Sequence, residues 1–494
     1  MDIEIDEPEF IAPLKTTSNK RRYVLPIDDA HPFDLDALGS GAGRTVVDRL
    51  IYLIPTCPTI ATQAFQLAVG RTTQMRDTTL YQNLLYAYEQ AVAVAGTGNP
   101  LPAWNELTPF DQSWVDETNR KNSEEKIKLE VELKTYTSNM IKESIRMAHR
   151  DLAEFHRSMG DYQTALKHYA KLREYCATSQ HVLDMCLSVL ELLLEQRNYA
   201  HIPTYVFKAE PALDATTNSL RNSNQGPTAT QAPLGKEKIA AEREKVQSKL
   251  DLATALSHLG QGAYEKAAGS FLKIGPIKAL GDWAKKVVAP SDIAIYGTLC
   301  ALASYPRSAI KSHVLNNASF SVYIEQEPYV REVVEAYMAS KFKTVLDILE
   351  RNSTRHMVDI HLSSHVQNLV HLIRSRALVL YFQPFASIKL ESMSLAFGWT
   401  PEYLEQQIVG LIQAGEIQAR VDKQNRILQA KRTDQRAALF ARAMKAGSEM
   451  QATNRKLLLR MRLQQADLVI KAPTKPQQSS LGHSGEIHQS DPYR

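Results

Sequence analysis

Cysteine is scarce in this chain: there are four in 494 residues, Cys57, Cys176, Cys186 and Cys300, and no C-x-x-C pair. That argues against a disulfide framework or a cysteine-built zinc site and points to a reducing, intracellular compartment. Long apolar runs are lacking too. No stretch approaches the ~18 residues of a membrane span, and the acidic opening "MDIEIDEPEFIAP" has no signal-peptide core. A soluble protein is expected. Charge of one sign is also modest, because a net +4 over this length gives no compositional case for nucleic acid. The surplus is unevenly placed: from residue 421 onward 14 Lys and Arg face 6 Asp and Glu, which leaves residues 1–420 at −4. A basic C-terminal helix with a solvated face fits that pattern.

Catalytic signatures are missing as well. "GSGAGRT" at Gly39 imitates a phosphate loop, but Leu38 stands where the first glycine belongs, Arg44 replaces the lysine, and no apolar strand precedes it. A flexible linker is expected there. His361 and His365 have the i, i+4 spacing of a helical metal pair. Leu362, Ser363 and Ser364 between them exclude the general-base glutamate of H-E-x-x-H, so surface or capping histidines are expected. Neither cofactor nor metal is expected.

What the chain does have is helical periodicity. In "GDYQTALKHYAKL" Tyr162, Ala165, Leu166, Tyr169 and Leu172 share one helix face. Gly160 suits the left-handed stop of a preceding helix and Asp161 the cap of the next. The phrase recurs at Tyr199, Tyr264 and Phe342, and more weakly at Tyr305. The intervals of 37, 65 and 78 reduce to a period of roughly 35–40 residues if one polar insertion is set aside, which is the period of a helical-hairpin solenoid. Ser123 to His156 reads as one long or kinked helix. The stretch 211–237, rich in Pro, Thr, Asn and Gln, reads as a surface insertion.

Between Tyr381 and Arg432 the rhythm changes. A β-like segment at Ile388 to Leu390, a helix stopping at Gly398, a helix capped by Thr400 with Pro401 first, and two strands beginning near Ile417 and Ile427 make a winged helix. Its second helix, "TPEYLEQQIVGLIQAGE", carries Glu402, Glu405 and Glu416 but no Lys or Arg, and the wing adds only Lys423 and Arg426. That surface repels a phosphate backbone, so protein docking through exposed strands is the better expectation. A long helix follows from 433, with Phe440, Met444, Leu457, Met461 and Leu468 near one seam and Gly447 and Asn454 interrupting it. Packing in a larger bundle fits this better than an isolated coiled coil.

The expected fold is mainly α: a TPR-like helical-repeat solenoid, a PCI winged-helix module and a long C-terminal helix. In residues, this means a mostly irregular arm over 1–45, repeats over 46–255 with the insertion at 211–237, a PCI domain over 256–432 with its winged helix at 381–432, a bundle helix over 433–471 and a disordered tail over 472–494.

That layout is the layout of PCI-domain proteins. Within them, "NMIKESIRMAHRDLAEFHRSMGDYQTALKHYAKLREYCATSQHVLDMCL", the early "HPFDLDAL" and "GRTVVDRL", and the late "SIKLESMSLAFGWTPEYLEQQIVGLIQAGEIQARVDKQNRILQAKR" resemble the first-subunit family of the COP9 signalosome, over roughly residues 30 to 465. The resemblance implies a structural subunit of the complex that removes the ubiquitin-like modifier Nedd8 from cullins, with the metalloprotease in another subunit. It implies neighbours two and three joined winged helix to winged helix, terminal helices gathered into a common bundle, and cullin-RING ligases met by the complex, the repeats projecting outward. Location in cytoplasm and nucleus follows, with no nucleic-acid or membrane partner. The docking edges then fall on Ile388 and Leu390, on Ile417, Ala419 and Val421, and on Ile427, and the bundle face on Phe440, Met444, Leu457, Met461 and Leu468. A proteasome-lid PCI subunit and a winged-helix DNA-binding regulator remain the alternatives.

Overall fold

A computed structural model describes residues 33–35, 43–95, 101–108, 111–223, 233–431 and 435–468. The chain divides into a unit up to Gln429 and a second from Ala430. Helices of seven or more residues are labelled here. In the first unit they are α1 (Arg44–Thr56), α2 (Ala61–Thr72), α3 (Thr78–Ala95), α4 (Gln112–Ser138), α5 (Lys142–Ser158), α6 (Tyr162–Glu174), α7 (Ser179–Glu195), α8 (Ile202–Ser223), α9 (Pro233–Gly260), α10 (Tyr264–Phe271), α11 (Pro290–Ser304), α12 (Ala318–Ile324), α13 (Pro328–Met338), α14 (Phe342–Arg351) and α15 (Val366–Phe382). The winged-helix segment adds β1 (Ser387–Lys389), α16 (Leu390–Phe397), α17 (Pro401–Gln413), β2 (Ala419–Asp422) and β3 (Ile427–Ala430), and α18 (Gln435–Gln465) follows. The architecture is mainly α, as expected.

One local device sets the repeat. A residue in the left-handed region ends a helix, and the next N–H bonds back five residues, which satisfies carbonyls that the helix end would orphan. Asp161 N donates to His156 O at 2.9 Å after Gly160, Asn198 N to Leu193 O at 2.9 Å after Arg197, Ala263 N to His258 O at 2.9 Å after Gly262, and Lys341 N to Ala336 O at 2.9 Å after Ser340. Each of these turns sits two residues before the aromatic of the recurring phrase. The weaker unit at Tyr305 is of a different kind, because the chain leaves α11 through an extended Tyr305 followed by Pro306.

The same device divides the stretch expected as one long helix. Met140, at φ 53°, closes α4 and separates it from α5, with Ile141 N on Tyr136 O at 3.4 Å. No glycine marks the place, so composition hid it. The expected insertion at 211–237 is also corrected. α8 runs through Pro211 because Ile202, Val206, Ala209, Leu213 and Thr217 continue one buried stripe, and α9 already begins at Pro233. Residues 224–232 lie outside the described residues. The division at 255/256 has no counterpart, since it falls inside α9, which packs against both α8 and α10. Of the expected arm, 1–32 and 36–42 lie outside the described residues, and so does the expected tail.

Two centres of the core position the rest of the first unit among the described residues. In α11 every residue from Asp292 to Ala303 is buried, as befits a helix surrounded by α10, α12, α13 and α15. Around α1, α2 and α3, Leu50, Leu53, Ile54, Phe65, Leu84 and Tyr88 form a second cluster that also takes in Val358. The first helices therefore fold back on the segment that leads to the winged helix, and Thr45 Oγ1 donates to Lys286 O at 2.6 Å.

Candidate docking surfaces

The three strands form one sheet in the order β1-β3-β2. β1 and β3 run antiparallel, pairing Ser387 with Gln429, Ile388 with Leu428 and Lys389 with Ile427. β3 is therefore central and its backbone is used on both sides. Ile427 cannot be a free docking edge, which corrects one of the three expected edges. Among the described residues the open edges are those of β1 and β2.

Side chains at the expected edges mostly point inward. Ile388 is half-buried on β1, whereas Leu390 is no strand residue: it opens α16, is buried, and donates its N–H to Arg426 O at 2.8 Å. Ile417 is buried in the bend before β2, Ala419 is buried on β2 and Val421 is half-buried two residues on. These residues build the inside of the module, so its strand edges offer backbone groups rather than apolar anchors. The exposed apolar groups lie at Phe385 just before β1, at Leu395 on α16, 80 % exposed, and at Tyr403 and Val409 on α17. Thr400 precedes α17 without making a side-chain cap, and Pro401 occupies the first position. Glu402 and Glu416 are exposed.

α18 carries many exposed apolar side chains. Phe440, Met444, Leu457, Met461 and Leu468 are 67, 62, 51, 64 and 69 % exposed. Leu439, Met450, Leu458, Leu459 and Leu463, which sequence reasoning missed, are exposed as well. At about 100° per residue, Leu439, Phe440, Met444, Met450, Leu457, Leu458 and Met461 fall within an arc of roughly 140° that also takes in Arg436 and Arg462, while Leu459 and Leu463 fall opposite with Arg442, Lys445, Lys456 and Arg460. A helix-period count extended to every large apolar residue finds this arc and leaves Leu459 and Leu463 outside it. The helix ends earlier than expected, at Gln465, where Asp467 turns left-handed and Leu468 N reaches Leu463 O at 3.0 Å. Leu468 is thus beyond the helix.

The histidine pair is structural. His361 and His365 lie in the turn before α15, where Tyr199 Oη meets His361 Nδ1 at 2.7 Å and Tyr264 Oη meets His365 Nδ1 at 3.2 Å. Surface or capping histidines are expected here; His361 is buried, so it is not a surface residue. Among the described residues no three His, Cys, Asp or Glu side chains are grouped to hold a metal.

The family model described as "26S proteasome subunit RPN7" matches residues 111–313, and the one described as "PCI domain" matches 349–432. The chain is 34 % identical over 451 residues to COP9 signalosome complex subunit 1 of Arabidopsis thaliana, covering 90 % of this chain and 92 % of that one. It is 32 % identical over 523 residues to COP9 signalosome complex subunit 1b of Drosophila melanogaster, covering 98 % and 95 %. The chain belongs to the COP9 signalosome subunit 1 family. A proteasome protein, the 26S proteasome non-ATPase regulatory subunit 6 homolog of Arabidopsis thaliana, is 18 % identical over 339 residues. As a subunit 1 relative with a PCI domain, the chain is one component of a multi-subunit complex.

In this subunit 1 family member, α1 is held by buried charge. Arg49 Nη2 lies 2.6 Å from Asp292 Oδ2 on α11 and 3.7 Å from Asp359 Oδ2, with all three side chains about nine-tenths buried. Burial disfavours the Arg49 cation, but Asp292 and Asp359 more than reverse this. Nearby, Arg355 Nη1 donates to Glu327 Oε2 at 2.8 Å, and Tyr329 Oη meets His356 Nε2 at 3.0 Å. Burial, reinforced by neighbouring arginines, pushes His356 and His361 each down to about 3, so both are neutral. These partners are separated by as many as 310 residues in the chain, and no local motif announces them.

Proposed function

We propose that this chain is a non-catalytic scaffold of the complex that removes Nedd8 from cullins. The open edges of β1 and β2 pair with neighbouring PCI subunits, expected to be subunits two and three, and α18 enters a bundle of terminal helices. The deneddylase centre belongs to another subunit, and cullin-RING ligases meet the assembled complex in cytoplasm and nucleus. The observation that carries this reading is the apolar arc of α18, whose Leu457 and Met461 stand in solvent. Such an arc is stable only when partners cover it. The acidic surface of α17 favours this over duplex binding, and the weak likeness to proteasome relatives favours the signalosome over the lid.

The test is affinity purification of the tagged full chain from native extract, with mass spectrometry and deneddylation of a Nedd8-cullin on the eluate. The wild type should bring the other subunits and activity, and the isolated chain none. Leu457→Asp with Met461→Asp should lose both while keeping the circular dichroism and melting temperature of the wild type. Undiminished recovery and deneddylation in that variant would reject the bundle role.

A further inference from the structure

α18 carries seven Lys and Arg against a single acid, Glu449, and all of these side chains are exposed. The cations do not all lie on one face. At about 100° per residue Arg442, Lys445, Lys456 and Arg460 form a stripe opposite the apolar arc, and Glu449 stands in the middle of that stripe. Arg462 lies inside the arc, and Arg455 borders it within about 20°. Met444, Arg455, Leu458 and Arg462 therefore run along one edge of the face that partners are to cover. Among the described residues neither Arg455 nor Arg462 is ion-paired with an acid. Glu449 is more than about 100° away round the helix and does not face this edge.

Covering that edge takes two guanidinium groups out of water, which is strongly unfavourable unless each meets an opposite charge and matching hydrogen bonds. A carboxylate fits, because its two oxygens accept the parallel N–H pair of a guanidinium fork. Near the centre of the arc stand Gly447 and Asn454. The space beside Gly447 is open to a closely approaching backbone, and the Asn454 amide requires a hydrogen-bond partner once it is covered. An anionic membrane would satisfy the cations but not the arc, since a helix lying on a membrane keeps its charges off the face that enters the acyl region. A protein helix with acids beside its own apolar stripe meets all of these demands.

We propose that the helix seated on α18 is acidic: carboxylates of a partner subunit pair with Arg455 and Arg462 along one edge of the apolar arc, while Arg442, Lys456 and Arg460 stay in solvent. This rests on the bundle reading of α18 and adds the chemistry of the occupant. Apolar burial alone accepts any amphipathic helix. Two cations seven residues apart, roughly 10 Å along the axis, accept only a helix that presents acids at the same spacing, which fixes both the choice of partner and its register.

The experiment compares two charge reversals in the tagged full chain, purified from native extract with quantitative mass spectrometry of the other subunits. Arg455→Glu with Arg462→Glu should lower their recovery about tenfold or more. Arg442→Glu with Arg460→Glu, the same change in net charge on the opposite stripe, should leave it within about twofold of wild type, and both variants should keep the wild-type circular dichroism. Arg455→Lys with Arg462→Lys keeps the charge and should assemble. Zero-length carbodiimide coupling of that assembled complex should then join the introduced amines to Asp or Glu side chains of another subunit, a readout that stands even if the Glu variant folds poorly. Full recovery in the Arg455, Arg462 reversal together with loss in Leu457→Asp, Met461→Asp would overturn the acidic occupant and leave the bundle role standing, and full recovery in both would overturn both. Equal loss in the two charge reversals, or introduced amines that couple to no partner carboxylate, would overturn the assignment. So would sedimentation of the full chain with phosphatidylserine vesicles that the Arg455, Arg462 reversal abolishes while subunit recovery persists.

Discussion

His356 and His361 should make this protein acid-sensitive by a calculable amount. Both are neutral and buried, with folded-state values of about 3, and the unfolded chain holds the same groups at about 6.5. As pH falls through 6.5 the unfolded chain takes up protons that the folded chain refuses until near 3. The unfolded state then binds more protons, so stability falls across that window and is fully present above it. Between pH 7.5 and pH 5 each histidine removes about 2 kcal/mol, and the pair about 4 kcal/mol, at ~1.4 kcal/mol per unit of difference. The comparison is with His356→Gln, which keeps a polar group toward Tyr329, combined with His361→Asn, which keeps one toward Tyr199. Urea unfolding followed by circular dichroism at pH 7.5, 6 and 5 reads the result. The double variant starts less stable but should lose about 4 kcal/mol less than the wild type on acidification. Parallel losses in the two proteins would refute the reasoning, because the protons would then be taken up elsewhere.

Further outcomes follow from the same geometry. Arg49→Met strands Asp292 and Asp359 in the interior and should cost about 3–5 kcal/mol in urea unfolding, and adding Asp292→Asn should return part of it. Gly160→Ala should lower the melting temperature, because Gly160 sits at φ +83° and an added Cβ would collide with the Asp77 carboxylate. Met140→Gly should raise stability by about 0.5–1 kcal/mol, since an 84 % exposed methionine at φ 53° gives way to a residue at ease there. Gly447→Ala should raise the helicity of α18 by circular dichroism, worth up to ~1 kcal/mol, because the position is open on all sides.

Much of the helical architecture could be read locally. The face formed by Ala165, Tyr169 and Leu172, the stops at Gly160, Gly262, Gly398 and Gly415, and the apolar seam of α18 all depend on residues within one or two turns of each other. The turns at Met140, Arg197 and Ser340 could not be read, because there the left-handed conformation is imposed on residues that do not advertise it. The stripe of α8 through Pro211 was masked by polar composition, although its spacing was regular.

The sequence by itself determined that the chain is a string of amphipathic helices with a winged-helix segment, that the second helix of that segment carries Glu402 and Glu405 with no Lys or Arg, and that catalytic ligand patterns are missing, since each follows from short-range spacing and residue type. Only the tertiary structure decided that β3 is the inner strand, which depends on a pairing across some 40 residues between Ser387–Lys389 and Ile427–Gln429. It alone brought Arg49 to Asp292 and Asp359, paired the i, i+4 histidines, one buried and one half-buried, with Tyr199 and Tyr264, and set the Arg307 guanidinium over the Tyr337 ring. Those arrangements depend on how helices distant in sequence pack together, and buried charges and hydroxyls acquire their partners, or lack them, only once that packing has removed water.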